Sequence, residues 1–187
     1  MNRQQHWEAV YETKAADTVS WYRPHLDSSL ALIERAAPDR DAAVLDVGGG
    51  ASTLVDDLLA RGYRDLSVLD ISAEALRVAR ERLGKAAEAV NWLAVDLLDA
   101  PLQEARYNLW HDRAVFHFLT EAGQRANYVR QLPDMRRPVS SRMLRCWVAI
   151  RSWTWMSPPI SRGCRCSTAT RSCTWITASW CYLIARE

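Results

Sequence analysis

Three consecutive glycines, Gly48 to Gly50, stand between two carboxylates whose spacing is suited to holding a nucleoside. Asp46 lies two residues before the first glycine and Asp70 lies twenty residues after the last, and each ends a short apolar run. Glycine is needed where the backbone turns sharply or lies against a ligand, because a Cβ would collide there. A carboxylate that ends the second strand of a βαβ unit can accept hydrogen bonds from ribose hydroxyls. The spacing therefore predicts a nucleoside-bearing cofactor at the ends of two parallel strands.

The details of the glycine turn favour one class of cofactor over another. A dinucleotide-binding turn has the pattern G-x-G-x-x-G, and Thr53 stands where the third glycine would be. The carboxylate of Asp46 would also repel a pyrophosphate. A cofactor with a cationic group and no phosphate is therefore favoured. A nicotinamide-dependent oxidoreductase is the less favoured enzyme, and a glycine turn that binds no ligand is the non-functional alternative.

Apolar runs and amphipathic patterns alternate as far as Leu132 and predict the elements that position these residues. The expected strands are 43–47, 66–69, 90–95 and 107–110, and the expected helices are 4–14, 27–37, 52–61, 72–83 and 123–131. Near-continuous apolar strands between amphipathic helices indicate an α/β fold with a Rossmann-like doubly wound parallel sheet. Right-handed crossovers place the carboxyl ends of all four strands at one edge, where ligands bind. That edge is expected to collect Asp46, Asp70, Asp96 and the segment His111-Asp112-Arg113.

The distribution of charge and cysteine divides the chain in two. Residues 1–132 hold 15 basic and 20 acidic residues and no cysteine, whereas residues 133–187 hold 9 basic and 2 acidic residues and all five cysteines. We expect a cofactor-binding core with a helical leader at 1–132 and an atypical tail, incomplete in its strands, at 133–187. The acidic core argues against a nucleic-acid partner, and no apolar run approaches the roughly 20 residues of a membrane helix. The lack of cysteine in the core, with no signal peptide, predicts a cytoplasmic enzyme.

The tail has a composition that selection for a folded core would not be expected to produce. It is rich in Arg, Ser, Thr, Cys and Trp, as arises when a GC-rich coding sequence is read in a shifted frame. The alternative is a divergent but genuine ending, with a strand at Met143–Ile150 and β-prone residues over Thr174–Ala185. A metal site is not expected, because the cysteines include a single close pair, Cys164 and Cys166. A disulfide framework is not expected either, because the number of cysteines is odd.

Several segments of the core resemble the class I S-adenosylmethionine-dependent methyltransferases of the small, single-domain type. They are His6-Trp7-x-x-x-Tyr11, Ser20-Trp21-Tyr22, Val44–Ser52, Val68–Ser72 and Leu109–Leu119. The resemblance covers roughly residues 5–132. It ends where the family continues with a Pro-Gly-Gly turn into a fifth strand, because this chain reads Leu132-Pro133-Asp134 at that point.

The resemblance implies S-adenosylmethionine as the cofactor and a set of residues that bind it. This set is Asp46, Gly48, Gly49, Gly50, Asp70, Ile71, Asp96, Leu97 and Trp21. Within it, Asp46 would lie near the methionine ammonium, Asp70 would hold the ribose hydroxyls, and Asp96 would accept from the adenine amino group. Trp21 and Tyr11 are expected to form part of a lid.

The chemistry of methyl transfer asks little of general catalysts. The sulfonium is already electrophilic, so the protein must mainly align the acceptor and exclude water. With an amine acceptor, Asp112 or His117 is the candidate group to remove a proton, with His111 as a further candidate. The predicted function is methyl transfer to a small-molecule or protein side-chain acceptor. The alternative is a non-catalytic remnant that binds the adenosyl cofactor, a consequence of the aberrant tail.

Overall fold

The computed structural model describes residues 2–103 and 106–132, together with the backbone of one further strand at 181–185. The strands are β1 (Val44–Val47), β2 (Leu66–Asp70), β3 (Val90–Ala94), β4 (Leu109–Arg113) and β5 (Cys181–Ala185). The helices are α1 (Arg3–Thr13), α2 (Asp27–Ala36), α3 (Leu54–Ala60), α4 (Ala73–Leu83) and α5 (Ala122–Gln131). None of the helices in this part of the chain is long and apolar enough to cross a membrane. The strand expected at Met143–Ile150 lies outside the described residues.

The five strands form one sheet in the order β3-β2-β1-β4-β5. The first four run parallel, with Val44 of β1 opposite Leu66 on one side and Leu109 on the other. β5 lies within the β-prone segment 174–185 and runs antiparallel to β4. The strand order reverses at β1, which lies between β2 and β4. In an open α/β sheet, ligands bind at the carboxyl ends of the strands beside such a reversal. The predicted doubly wound parallel sheet is confirmed.

Apolar residues on both faces of the sheet form two separate clusters, so helices or loops cover each face. Val44 of β1 belongs to the cluster that contains Ile33 of α2 and Leu58 of α3. Leu45, its neighbour in β1, belongs to the opposite cluster, with Trp110 of β4 and Tyr128 of α5. Neighbouring residues of a strand point to opposite faces. A strand that is buried on both faces must therefore be apolar almost throughout, as this sequence is.

The position of β4 corrects the prediction from the sequence. The strand was expected at 107–110, ending in His111-Asp112, but β4 runs from Leu109 to Arg113, so both residues lie inside it and are buried. The register aligns His111 with Asp46 and Asp112 with Val47. Polar residues normally indicate a turn, yet here each finds a hydrogen-bond partner inside the protein, which allows the strand to continue.

Candidate functional site

A cavity of about 290 Å³ opens at the carboxyl edge of the sheet, beneath α1. This volume is near the lower end of the range for ligand pockets, roughly 300–1,000 Å³. The predicted site residues that line it are Tyr11, Trp21, Asp46, Gly48, Gly49, Asp70, Ile71, Asp96, Leu97, His111 and His117. Gly50 and Asp112 are not among its lining residues. The fold thus brings most of the predicted set to one place.

The glycine turn after β1 needs glycine for two physical reasons. Gly48 and Gly50 have φ values of +66° and +47°, a region that residues with a side chain rarely adopt. A Cβ on Gly49 would lie 2.6 Å from Oδ2 of Asp46, and one on Gly50 would lie 2.9 Å from Oδ2 of Asp70. The backbone of the turn therefore occupies space next to both carboxylates that no side chain could share.

Asp70 ends β2 as a buried carboxylate at the cavity wall. Its Oδ1 accepts a hydrogen bond of 2.9 Å from the backbone N–H of Ser72, and the Gly50 N–H also donates to its carboxylate. Burial raises the pKa of Asp70 to about 7, with added repulsion from the carboxylates of Asp46 and Glu8. A ligand that donates hydrogen bonds to Asp70 would stabilise its ionised form.

Asp46 is held in a buried chain of three polar side chains. Its Oδ1 lies 2.7 Å from Nδ1 of His111, and Nε2 of the same ring lies 3.0 Å from Oγ of Ser29 on α2. All three residues are at most 5% exposed. The prediction from the sequence included His111 as a candidate base; the residue lines the cavity, and its ring lies between these two partners.

Helix α1 covers the cavity through Arg3, Trp7 and Tyr11, which lie four residues apart on one helix face. Burial and the charge of Asp70 raise the pKa of Tyr11 to about 12, so this phenol keeps its proton at neutral pH. The Trp7 ring contacts the rings of Trp21 and Phe118 edge to face, with centroids 5.8 Å and 5.0 Å away. The i, i+4 spacing was the signal in the sequence that the whole helix face belongs to the site.

An ion pair and a group of hydrogen bonds, neither of which the sequence predicted, attach α1 to the sheet edge. The Arg3 guanidinium lies 2.6 Å from Oδ2 of Asp96, while Oδ1 of Asp96 accepts from the Leu98 N–H. Glu8 accepts hydrogen bonds of 2.8–3.0 Å from the Ser72 hydroxyl and from the backbone N–H groups of the two residues that follow it. Glu8 thus satisfies donors at the amino end of α4, where a negative charge is favourable.

The two residues predicted to be catalytic have different surroundings. Asp112 is buried, and its carboxylate accepts from the Tyr128 hydroxyl at 2.6 Å and from the Val115 N–H at 2.7 Å. Burial raises the pKa of Asp112 to about 6. His117 is exposed at the cavity wall, and partial burial lowers the pKa of its imidazole. The geometry thus gives Asp112 a role in fixing the turn after β4, whereas His117 can reach a bound molecule.

The residues at the cavity fit S-adenosylmethionine by their chemistry. Asp46 and Asp70 supply two buried carboxylates, one suited to a cationic ammonium and the other to a pair of ribose hydroxyls. A pyrophosphate in the same position would face these two negative groups. The turn brings backbone rather than side chains against the ligand space, as a close-fitting cofactor requires.

The sheet order and this carboxylate-lined cavity are those of a class I S-adenosylmethionine-dependent methyltransferase. Residues 44–138, just over half of the chain, match the methyltransferase domain family, and the chain belongs to that family. S-adenosylmethionine is accordingly its cofactor, as the sequence predicted.

Relatives in sequence and in structure agree with this assignment. The chain is 25% identical over 108 residues to the eEF1A lysine and N-terminal methyltransferases of Mus musculus and Bos taurus, covering 58% of this chain and 15% of each relative. It therefore spans less than a sixth of the length of these curated relatives.

Two solved structures share the fold. One concerns the conversion of a disulfide bond into a thioacetal group during echinomycin biosynthesis, with a TM-score of 0.56, 24% identity, and coverage of 70% of this chain and 54% of that one. The other is the N-methyltransferase NodS from Bradyrhizobium japonicum WM9 in complex with S-adenosyl-L-homocysteine, with a TM-score of 0.52, 20% identity, and coverage of 71% and 68%.

Proposed function

We propose that this methyltransferase transfers the methyl group of S-adenosylmethionine to an amine nitrogen of a small molecule or a protein side chain. The observation that carries the cofactor assignment is the pair Asp46 and Asp70 on either side of the glycine turn. An amine acceptor is supported by the similarity to the two eEF1A lysine and N-terminal methyltransferases, since lysine and N-terminal groups are amines. A nucleic-acid acceptor is not proposed, because the core is acidic.

The three carboxylates of the cofactor set each have a role in this proposal. Asp46 binds the methionine ammonium, Asp70 accepts from the ribose hydroxyls, and Asp96 accepts from the adenine amino group. The backbone of Gly48 and Gly49 encloses the ligand together with Ile71 and Leu97. When bound, the cofactor supplies an electrophilic methyl group, so the protein needs to hold the acceptor in line and exclude water.

His117 is the residue proposed to accept the proton of an amine acceptor. It lines the cavity, and partial burial lowers the pKa of its imidazole, which favours the neutral ring, the form that can accept a proton. Trp21 and Phe118, which also line the cavity, are 42% and 47% exposed. Exposed aromatic faces near a cavity suit a cationic or apolar acceptor group.

Binding of the cofactor is tested by calorimetry on the full 187-residue chain. We expect S-adenosylmethionine and S-adenosylhomocysteine to bind and NAD not to bind. Asp70→Ala should weaken binding by about 1–3 kcal/mol, the loss of hydrogen bonds to a charged group. Binding of NAD alone would overturn the proposal, and an unchanged affinity in Asp70→Ala would remove Asp70 from the site.

The acceptor class is tested with S-adenosylmethionine that carries a tritiated methyl group. Incubation with separated protein and small-molecule fractions of a cell extract should label one fraction in a form stable to base, as an N-methyl group is. His117→Gln should lower the rate at saturating cofactor. His25→Gln is the matched control, because His25 is exposed and pairs with Asp57. Cofactor binding without any methyl transfer would instead support the non-catalytic remnant.

We also propose that residues 133–187 are an atypical tail read in a shifted frame, beyond a cofactor-binding core at 1–132. The support is the abrupt change in charge and cysteine content. Rereading the coding DNA downstream of codon 132 in the other two frames should reveal a Pro-Gly-Gly turn and further strand patterns. A cytoplasmic location is proposed from the cysteine-free core and is tested by cell fractionation.

A further inference from the structure

The chain of Asp46, His111 and Ser29 connects the cofactor cavity to the interior of the protein. Asp46 and His111 stand opposite each other in the paired strands β1 and β4, so their side chains share one face of the sheet. Ser29 approaches the same face from α2. Three separate elements therefore meet at one imidazole ring, which is 1% exposed.

The chemistry of the three groups determines where the ring proton lies. A carboxylate only accepts hydrogen bonds, so Nδ1 of His111 must carry a hydrogen and donate it to Oδ1 of Asp46. Nε2 then accepts from the Ser29 hydroxyl when the ring is neutral, and donates to the same oxygen when the ring is charged. Ser29 can satisfy either state of the ring because a hydroxyl both donates and accepts.

Holding Oδ1 determines which way the carboxylate of Asp46 faces. The other oxygen, Oδ2, lies against Gly49, 2.6 Å from where a Cβ of that residue would stand. Asp46 and Gly49 both line the cavity. A carboxylate with Oδ1 fixed can turn only by breaking a buried hydrogen bond, and an unpaired buried donor costs free energy.

We infer that His111, supported by Ser29, is a positioning residue that orients Asp46 toward the cationic amino-acid end of the cofactor. This inference rests on the proposed function, and it assigns His111 a role other than that of a base. In this role His111 need not contact the transferred methyl group. It acts through the carboxylate of Asp46, a cavity-lining residue, by holding Oδ1 and so limiting the rotation of that group.

The experiment compares two ligands that differ at the end that Asp46 faces. S-adenosylhomocysteine has the amino-acid group, whereas 5′-methylthioadenosine shares the adenosine and thioether and lacks that group. His111→Leu in the full chain should weaken the binding of S-adenosylhomocysteine about tenfold, as measured by calorimetry. This is the effect expected from the loss of one charge-assisted hydrogen bond. It should change the affinity for 5′-methylthioadenosine by less than about twofold.

Two further variants separate positioning from a general effect on folding. His111→Asn places an amide N–H near the position of Nδ1 and should recover most of the affinity for S-adenosylhomocysteine. Ser29→Ala removes the hydroxyl partner of Nε2 and should weaken the binding of S-adenosylhomocysteine by a smaller factor than His111→Leu does. Thermal unfolding of each variant establishes that it is folded, and these two carry the test if His111→Leu does not fold.

Three results would overturn the inference. One is equal weakening of both ligands in His111→Leu, which indicates a structural role alone. Another is an unchanged affinity for S-adenosylhomocysteine in folded His111→Leu. If His111→Leu does not fold, an unchanged affinity in both His111→Asn and Ser29→Ala has the same meaning. The third is a wild-type chain that binds neither ligand, which would remove the proposed function as well.

Discussion

The side chain of Val115 rests directly on the backbone of Gly48. A Cβ on Gly48 would overlap Cγ2 of Val115, so the turn after β1 and the turn after β4 fit together only with glycine at this position. The backbone N–H of Val115 donates to Asp112, which sets the position of Val115. The two turns meet because β1 and β4 are adjacent and parallel. The cavity wall is thus built from contacts between residues far apart in the sequence.

Gly48→Ala should destabilise the protein and weaken cofactor binding. The backbone of Gly48 has a φ of +66°, which costs a residue with a side chain about 1–2 kcal/mol, and the overlap with Val115 adds about 1–3 kcal/mol. Urea unfolding measures the sum. Gly62→Ala is the matched control, because Gly62 has a φ of +84° and open space around its Cβ position. Equal losses in the two variants would show that Val115 exerts no steric constraint, and Val115→Ala should restore part of the loss in Gly48→Ala.

The stability of the protein without cofactor should fall as pH rises from about 4 to above 7. Burial raises the pKa of Asp70 from 3.8 to about 7 in the folded state, so the folded protein binds the extra proton in this window. A raised pKa contributes stability that is complete below the unfolded pKa and is lost as pH passes the folded pKa. The loss is on the order of 4 kcal/mol. Urea unfolding from pH 4 to 8 measures it, and Asp70→Asn should remove this part of the pH dependence while leaving the smaller part from Asp112.

Cofactor affinity should show the opposite dependence on pH. Ribose hydroxyls donate to the ionised form of Asp70, so the affinity for S-adenosylhomocysteine should rise as pH passes about 7. Calorimetry in buffers of different ionisation enthalpy should show that binding releases a proton at pH 6. Binding without proton release at that pH would mean that Asp70 does not contact the ligand.

Tyr128→Phe should destabilise the protein by about 1–3 kcal/mol, because it leaves a buried carboxylate with one fewer donor. The Tyr128 hydroxyl donates to Asp112 at 2.6 Å and lies 3.3 Å from Nε1 of Trp110. That hydrogen bond lowers the pKa of Asp112, so its loss should raise this pKa further above about 6. Unfolding at several pH values measures both effects. Tyr107→Phe, in the same apolar cluster, is the comparison, and an equal loss there would assign the effect to packing alone.

Glu8→Ala should release α1 from the edge of the sheet. Glu8 accepts three hydrogen bonds at the amino end of α4, and loss of such a cap costs about 1–2 kcal/mol. Hydrogen exchange of the α1 amides should therefore become faster. Glu12→Ala is the control on the same helix, since Glu12 is exposed. Equal exchange rates in the two variants would mean that Glu8 does not hold α1 in place.

Local pattern was sufficient to predict most of the architecture. β1 to β3 lie within one residue of their expected bounds, because an apolar run between amphipathic helices has few other solutions in a parallel sheet. The glycine turn and the position of Asp70 could likewise be predicted from the sequence, since backbone conformation and strand ends restrict residue type locally. These features determined the fold class and the part of the sheet where a cofactor binds.

The roles of the polar residues at that edge were decided by the tertiary structure. His111 and Asp112 have the composition of a turn, yet both belong to β4, because partners 82 and 16 residues away satisfy them. Arg3 reaches Asp96 across 93 residues of sequence. The sequence determined which elements form and that acids end the strands. Strand register and helix packing decided which acid faces the cavity and which is buried, because hydrogen bonds between distant residues depend on positions that no local pattern specifies.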